Sequence, residues 1–229
     1  MSQFRLLRER RFRPFFLTQF LGAFNDNLFK NALVVLLTFQ AARWTTLRPE
    51  LLANLAAGIF ILPFFLFSAS AGQLADKYDK ALLSRLVKWL EIAIVLLIGL
   101  GFWLQSLSLL MVCLFLLGLQ STLFGPVKYA LLPQHLHEDE LVGGNALVEA
   151  GTFVSILLGT LCGGLLASLD NGPLWITAAC MLVCPCIKFF TNLAVLPGNT
   201  PSMSCITSTW PSQSTPAPMP MVGQRRLSV

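Results

Sequence analysis

Six long apolar stretches separated by short polar ones set the pattern of the chain: about Phe15–Gln40, Leu51–Leu74, Leu83–Leu104, Leu109–Leu131, Leu141–Ser168 and Leu174–Leu196. Each exceeds the roughly 20 residues that a helix rising about 1.5 Å per residue needs to cross a hydrocarbon core ~30 Å thick. Barrel strands would be about ten residues of alternating polarity, and these runs are long and continuous instead. The pattern predicts an all-α transmembrane bundle of six spans, which puts both termini on one side. Between the spans, Gln105–Ser108 reads as a tight uncharged hairpin and His135–Glu140 as a short acidic loop.

The first stretch contradicts itself. Asn25, Asp26, Asn27, Lys30 and Asn31 sit at its middle, close to the expected bilayer midplane. An Asp or Lys at that depth costs about 2.5–3.5 kcal/mol on insertion scales. Asp26 and Lys30 are four apart and share a helix face, as do Asn27 and Asn31. Mutual neutralisation within a bundle would account for the Asp and Lys but not for the extra amides. The polar set therefore reads as a substrate or ion site in a membrane protein.

Composition agrees with the pattern: 55% of residues are hydrophobic and 12% charged, against about 25% charged in soluble domains. The net charge of +5 matters through its placement. Residues 1–14 form a basic arm with Arg5, Arg8, Arg10, Arg11 and Arg13 against Glu9, and Lys77, Lys80, Arg85 and Lys88 fall on the same side. Only Arg43 and Arg48 fall on the other. The positive-inside rule then makes both termini cytoplasmic, and the basic arm needs no nucleic acid to explain it. Arg85, Lys88 and Glu91, spaced three apart, read as a charged stripe at the cytoplasmic end of the third span, snorkelling or pairing with neighbours.

Five of the six cysteines fall within spans and behave there as small apolar residues. Cys184-Pro185-Cys186 has the look of an intramembrane soft-metal site, but no phosphorylation-domain motif or Cys/His-rich module accompanies it, so no metal or cofactor is expected. His135 and His137, beside Glu138-Asp139-Glu140, read as a solvated polar turn. Gly159-x-x-x-Gly163 allows close helix approach, by default within one bundle. The region 15–196 is thus one six-helix unit. Residues 197–229 change to Pro, Ser, Thr and Met without apolar period, and read as a disordered tail or as the product of a lost reading frame.

The most specific pattern is Gly72-Gln-Leu-Ala-Asp76-Lys77-Tyr-Asp79-Lys80. Gly72 suits close helix contact, Asp76 suits the start of a neighbouring helix, and Lys77 and Lys80 suit anionic headgroups. The order resembles the major facilitator superfamily loop Gly-x-Leu-Ala-Asp-Arg-x-Gly-Arg-Lys between helices two and three, departing at Asp79, where the superfamily has Gly. Within that superfamily, Gly-Ala-Phe-Asn-Asp-Asn-Leu-Phe-Lys (Gly22 to Lys30) resembles the first helix of bacterial lysophospholipid transporters. Gly125-Pro-Val-Lys128-Tyr129, Glu140-Leu-Val-Gly-Gly-Asn145 and Glu149-Ala-Gly-Thr-Phe153 resemble later blocks in the same order.

The resemblance implies the N-terminal six-helix half of a major facilitator, moving lysophospholipids such as lysophosphatidylethanolamine across the bacterial inner membrane. It implies Asp26 as the central polar residue of the cavity and Lys128 as a cavity cation, with Asn25, Asn27, Lys30 and Glu149 as further substrate-binding candidates. Gly72, Asp76, Lys77 and Lys80 would form the conformational-switch loop. Implied partners are the lysophospholipid, membrane lipids, a second six-helix half (missing or supplied by a homodimer) and an acyltransferase/acyl-carrier-protein synthetase. A His-x4-Asp acyl-transfer motif does not occur in this sequence, and the chain is not expected to be an enzyme. A truncated transporter is favoured over a dimerising half. The alternatives are another major facilitator exporter, or a non-transporting membrane anchor for a lipid acyltransferase.

Overall fold

The computed structural model describes residues 3–40 and 44–194; the tail expected from 197 to 229, Arg43 and Cys205 lie outside them. The helices are α1 (Arg13–Phe39), α2 (Pro49–Lys77), α3 (Lys80–Trp103), α4 (Leu107–His135), α5 (Leu141–Ala167) and α6 (Gly172–Ala194). Short 3-10 turns occupy Gln3–Arg8 and Glu138–Glu140. Several helices run beyond the apolar stretches into the polar residues beside them. Pro14 and Pro49 open α1 and α2, where a missing N–H has no helical partner to lose. The α3–α4 connection contracts to three residues, because Gln105 adopts a left-handed φ of 50° and Ser106 caps α4 by accepting from the Leu109 amide at 3.4 Å.

Helices α2 to α6 are each long and apolar enough to cross a membrane. The chain is a multi-pass membrane protein. Helix α1 is as long but too polar in its middle to match them, and it takes the central place. It packs most extensively on α5, then on α6 and α2, while α2 pairs with α4, α4 with α3, and α3 with α6. Helices α1 and α4 barely touch. That gap is what positions the site.

Small residues make the α1–α5 seam. Gly144, Gly151, Ser155, Gly159, Gly163 and Ala167 are all buried on one stripe of α5. A Cβ at Gly159 would stand 2.6 Å from the Phe24 carbonyl oxygen, and one at Gly163 would overlap that of Leu28. Gly159-x-x-x-Gly163 therefore joins helices of the same bundle. Gly118 of α4 gives the same close approach to the backbone of Phe60 on α2.

Three expectations need correction. Gly72 makes no close contact, since a Cβ there would meet nothing within 4 Å. The residue that caps α3 is Asp79, which accepts from the Ala81 amide at 3.3 Å; Asp76 is exposed in the last turn of α2. Asp79 has an ordinary φ of −58°, so an acid serves there without a glycine's freedom. His135 is not in a solvated turn: it ends α4, fully buried, with its ring stacked 5.4 Å from that of Phe15. The apolar side of its ring serves packing there.

The basic arm is also folded onto the bundle. Leu6 and Phe12 join Phe15, Val127, Leu131 and Leu132 in a second apolar cluster at this end. Arg11 donates to both carboxylate oxygens of Glu140, at 2.9 and 2.7 Å, and to Glu9 at 2.6 Å. This two-pronged pairing ties the arm to the acidic loop.

Replacing Gly163 by Leu should destabilise the bundle by at least about 1–3 kcal/mol through overpacking against backbone that cannot move aside. Gly164→Leu, whose Cβ meets nothing within 4 Å, should leave the thermal unfolding midpoint in detergent close to that of the unmodified protein. Equal midpoints for the two variants would contradict the seam described here.

Candidate functional site

Between α1 and α4 lies a cavity of about 250 Å³, walled by α2 and α5 and floored by α3. Its apolar lining comes from Phe60 and Phe64 on α2, Phe124 on α4 and Ile156 on α5. Its polar lining comes from Gln19, Asp26 and Asn27 on α1, Lys88 on α3, Gln120, Ser121 and Lys128 on α4, and Thr152 on α5. Sequence positions more than a hundred residues apart therefore meet at one site.

Asp26 is buried and accepts a hydrogen bond from the Ser121 hydroxyl through Oδ2. Its other oxygen, Oδ1, is buried without a hydrogen-bond partner among the described residues. Lys30 does not pair with Asp26; its ammonium donates to Asn27 Oδ1 at 2.8 Å and stands 4.8 Å from the centre of the Phe60 ring. Asn27 Nδ2 donates to the Ala23 carbonyl at 2.8 Å, and Asn31 bridges the Asn27 carbonyl and Thr160 at 2.8 and 2.9 Å. Most of the amide polarity of α1 is thus used to brace the helix and hold Lys30.

Lys128 lines the cavity and stands 3.4 Å from Glu149 Oε1 and 4.6 Å from the centre of the Tyr129 ring. The Tyr129 hydroxyl donates to the same Glu149 oxygen. Glu149 has a half-open side chain, 43% exposed, while that of Lys128 is 10% exposed. Of the expected substrate-binding set, Asp26, Asn27 and Lys128 line the cavity. Lys30 and Glu149 touch lining residues from behind, and Asn25 is buried outside the lining.

The charged stripe expected at the third span's cytoplasmic end is resolved differently. Only Arg85 is exposed. Lys88 and Glu91 are 2% and 1% exposed and form an ion pair at 2.8 Å. Glu91 Oε2 also accepts from Gln120 at 3.1 Å, and the Lys88 ammonium stands 4.2 Å from the centre of the Phe124 ring. Gly22 leaves room for it, since a Cβ there would lie 2.8 Å from Lys88 Nζ. The resulting run of polar groups, Asp26, Ser121, Gln120, Glu91 and Lys88, crosses from α1 through α4 to α3.

A family model described as the Major Facilitator Superfamily matches residues 15–219. The chain belongs to the major facilitator superfamily. Among curated proteins it is similar to the lysophospholipid transporter LplT of Escherichia fergusonii, 33% identical over 164 residues that make up 72% of this chain and 38% of that protein. The LplT of Serratia proteamaculans is 29% identical over 191 residues, 81% of this chain and 44% of that one. The LplT of Salmonella newport is 31% identical over 166 residues, 72% and 37% respectively. The chain thus spans about two fifths of the length of these relatives. No solved structure matches it.

The resemblance pointed to Asp26 and Lys128 as cavity residues, while Lys88 and Glu91, read as snorkelling or pairing at the end of a span, were not expected at the cavity. A signal was available. Lys88 and Glu91 lie eight and eleven residues into α3, about 12 and 16 Å along its axis, too deep for headgroup anchoring. Gln120, Ser121 and Thr122 are likewise consecutive polar residues within a long apolar run of α4.

Lys88→Met should cost about 3–5 kcal/mol, because it leaves Glu91 charged and buried without its cation. Lys88→Met/Glu91→Leu should recover most of that loss in thermal unfolding of the purified protein. A double variant as damaged as the single one would show that the ion pair is not what Lys88 supplies.

Proposed function

We propose that this chain forms one six-helix half of a carrier that moves lysophospholipids across a bacterial inner membrane, with both termini cytoplasmic. The observation that carries the proposal is the presence of an acid and a cation in the lining of one cavity. Asp26 keeps one buried carboxylate oxygen without a hydrogen-bond partner among the described residues, and Lys128 lines the same space. A zwitterionic headgroup asks for this arrangement, with an acid for its ammonium and a cation for its phosphate. The aromatic and aliphatic side chains between them suit a single acyl chain. The relatives' names support the same substrate class.

Glu149 competes with a phosphate for Lys128. Its pairing through one oxygen at 3.4 Å, at a half-exposed side chain, makes it an exchangeable partner that gives way when substrate enters. The second half of the carrier would cover the apolar faces that α2 and α5 leave open, which include Phe65, 83% exposed, and Phe153, 70% exposed. Asp76, which makes no ion pair or hydrogen bond among the described residues, is free to engage that half as part of a switch loop with Gly72, Lys77 and Lys80. Transport rather than catalysis is the role proposed, with re-acylation left to an acyltransferase/acyl-carrier-protein synthetase partner.

Uptake of labelled lysophosphatidylethanolamine by spheroplasts carrying the complete two-half carrier tests this reading. Asp26→Asn and Lys128→Ala should each lower uptake by about tenfold or more, as loss of a charged hydrogen bond implies. Uptake at the unmodified level in both variants would sink the site assignment. Absence of lysolipid uptake by the unmodified carrier would sink the substrate class.

A further inference from the structure

A second concavity of about 510 Å³ opens on the outer face of the bundle between α3 and α6. It shares no lining residue with the central cavity. Its body is apolar, made by Val95 and Leu96 of α3 and by Met181, Pro185 and Phe189 of α6. One end is cationic. Lys188 places its ammonium over the indole of Trp89, and Arg85, one turn before Trp89 on α3 and just outside the groove's lining, is exposed.

These two cations are close enough for their charges to repel, and neither forms an ion pair with an acid among the described residues. Of the two acids six residues from Arg85 along the chain, Glu91 is turned inward and committed to Lys88, and Asp79 caps α3 by accepting from the Ala81 amide. Two unneutralised cations and an indole at the head of an apolar groove match an anion joined to a hydrocarbon chain. Depth agrees as well. Arg85 lies about 8 Å along α3 from its start, and Lys188 about 9 Å from the described end of α6, on the same side of the membrane. From there to Met181 and Leu96 the groove runs about 10–16 Å inward, close to the ~15 Å half-thickness of a hydrocarbon core.

We infer that this groove holds one anionic phospholipid from the leaflet on the side of the chain termini. Its phosphate lies between Arg85 and Lys188, and an acyl chain lies along Val95, Leu96, Met181 and Phe189. The site differs from the substrate cavity in two ways. It is open to the bilayer, and it offers cations without an accompanying acid, so it selects an anionic headgroup over a zwitterionic one. Pro185, which cannot donate a backbone hydrogen bond to the Met181 carbonyl, leaves the α6 side of the groove without one ordinary helical tie.

The test uses the full chain in nanodiscs, with Trp89 kept and the other four tryptophans replaced by Phe. Phosphatidylglycerol or phosphatidylcholine with brominated acyl chains, diluted into unbrominated phosphatidylcholine, serves as quencher of Trp89 fluorescence. Quenching by the brominated phosphatidylglycerol should appear at about tenfold or more lower mole fraction, since two cations near an anionic lipid act together. Arg85→Gln/Lys188→Gln should bring the two lipids to parity, Arg85→Lys/Lys188→Arg should keep the preference, and Asp26→Asn should leave it unchanged. Native mass spectrometry of the unsubstituted protein gives an independent reading, with one phosphatidylglycerol retained in preference to phosphatidylcholine. Equal quenching by the two lipids, or a preference that survives Arg85→Gln/Lys188→Gln, overturns the proposal. So does equal retention of both lipids by the unsubstituted protein.

Discussion

Charge held away from water is the condition that organises this bundle. A carboxylate or ammonium in a low-dielectric interior is costly unless it is paired or hydrogen-bonded, and this bundle gives each of its buried charges at least one polar partner. Asp26 on α1 meets Ser121 on α4; Gln120 on α4 meets Glu91 on α3; Glu91 meets Lys88, which fits against Gly22 on α1. The circuit returns to the helix on which it began. Three helices are held in one register by groups that would each be costly alone. The cavity exists because these groups keep α1 and α4 near each other without letting their backbones close.

The outer support is of the opposite kind. Helix α5 reaches α1 with a stripe of glycines and small residues, so close that backbone carbonyls of α1 fill the space where side chains would stand. In a membrane the apolar effect gives little reason for two apolar helices to associate, and close packing takes its place. The polar groups on α1 that face α5 are satisfied along the same seam, by Gln19 with Thr152 and by Asn31 with Thr160. Packing and polarity thus specify one neighbour for α1 from two sides.

The six helices were legible because continuous apolar runs bounded by charge carry unambiguous length information. The interior was legible where a residue type was expensive in its setting, as Asp26 was, whereas Lys128 came from the family resemblance. It was not legible where the same residue had an inexpensive explanation. Lys88 and Glu91 stood near enough to the start of a span to pass as anchors, and His135 stood beside acids and so looked solvated. Which face of the helix each occupies is decided by partners on other helices, and no local pattern encodes that. Asp79 shows the same limit in a turn: its motif position suggested a missing glycine, while its side chain supplies a cap that the motif does not describe.

The Arg11–Glu140 tie joins residues 129 positions apart, and Gln19 and Thr152 are 133 apart. At about 5–20 residues per second, roughly 6–27 seconds of synthesis separate the appearance of one partner from the other. During that time α1, the least apolar of the six helices, lacks its small-residue seam, and the hydroxyl that bonds its acid comes only with α4. The helix made first is therefore the last to be housed, and its safe passage depends on the insertion machinery sheltering it until α5 arrives.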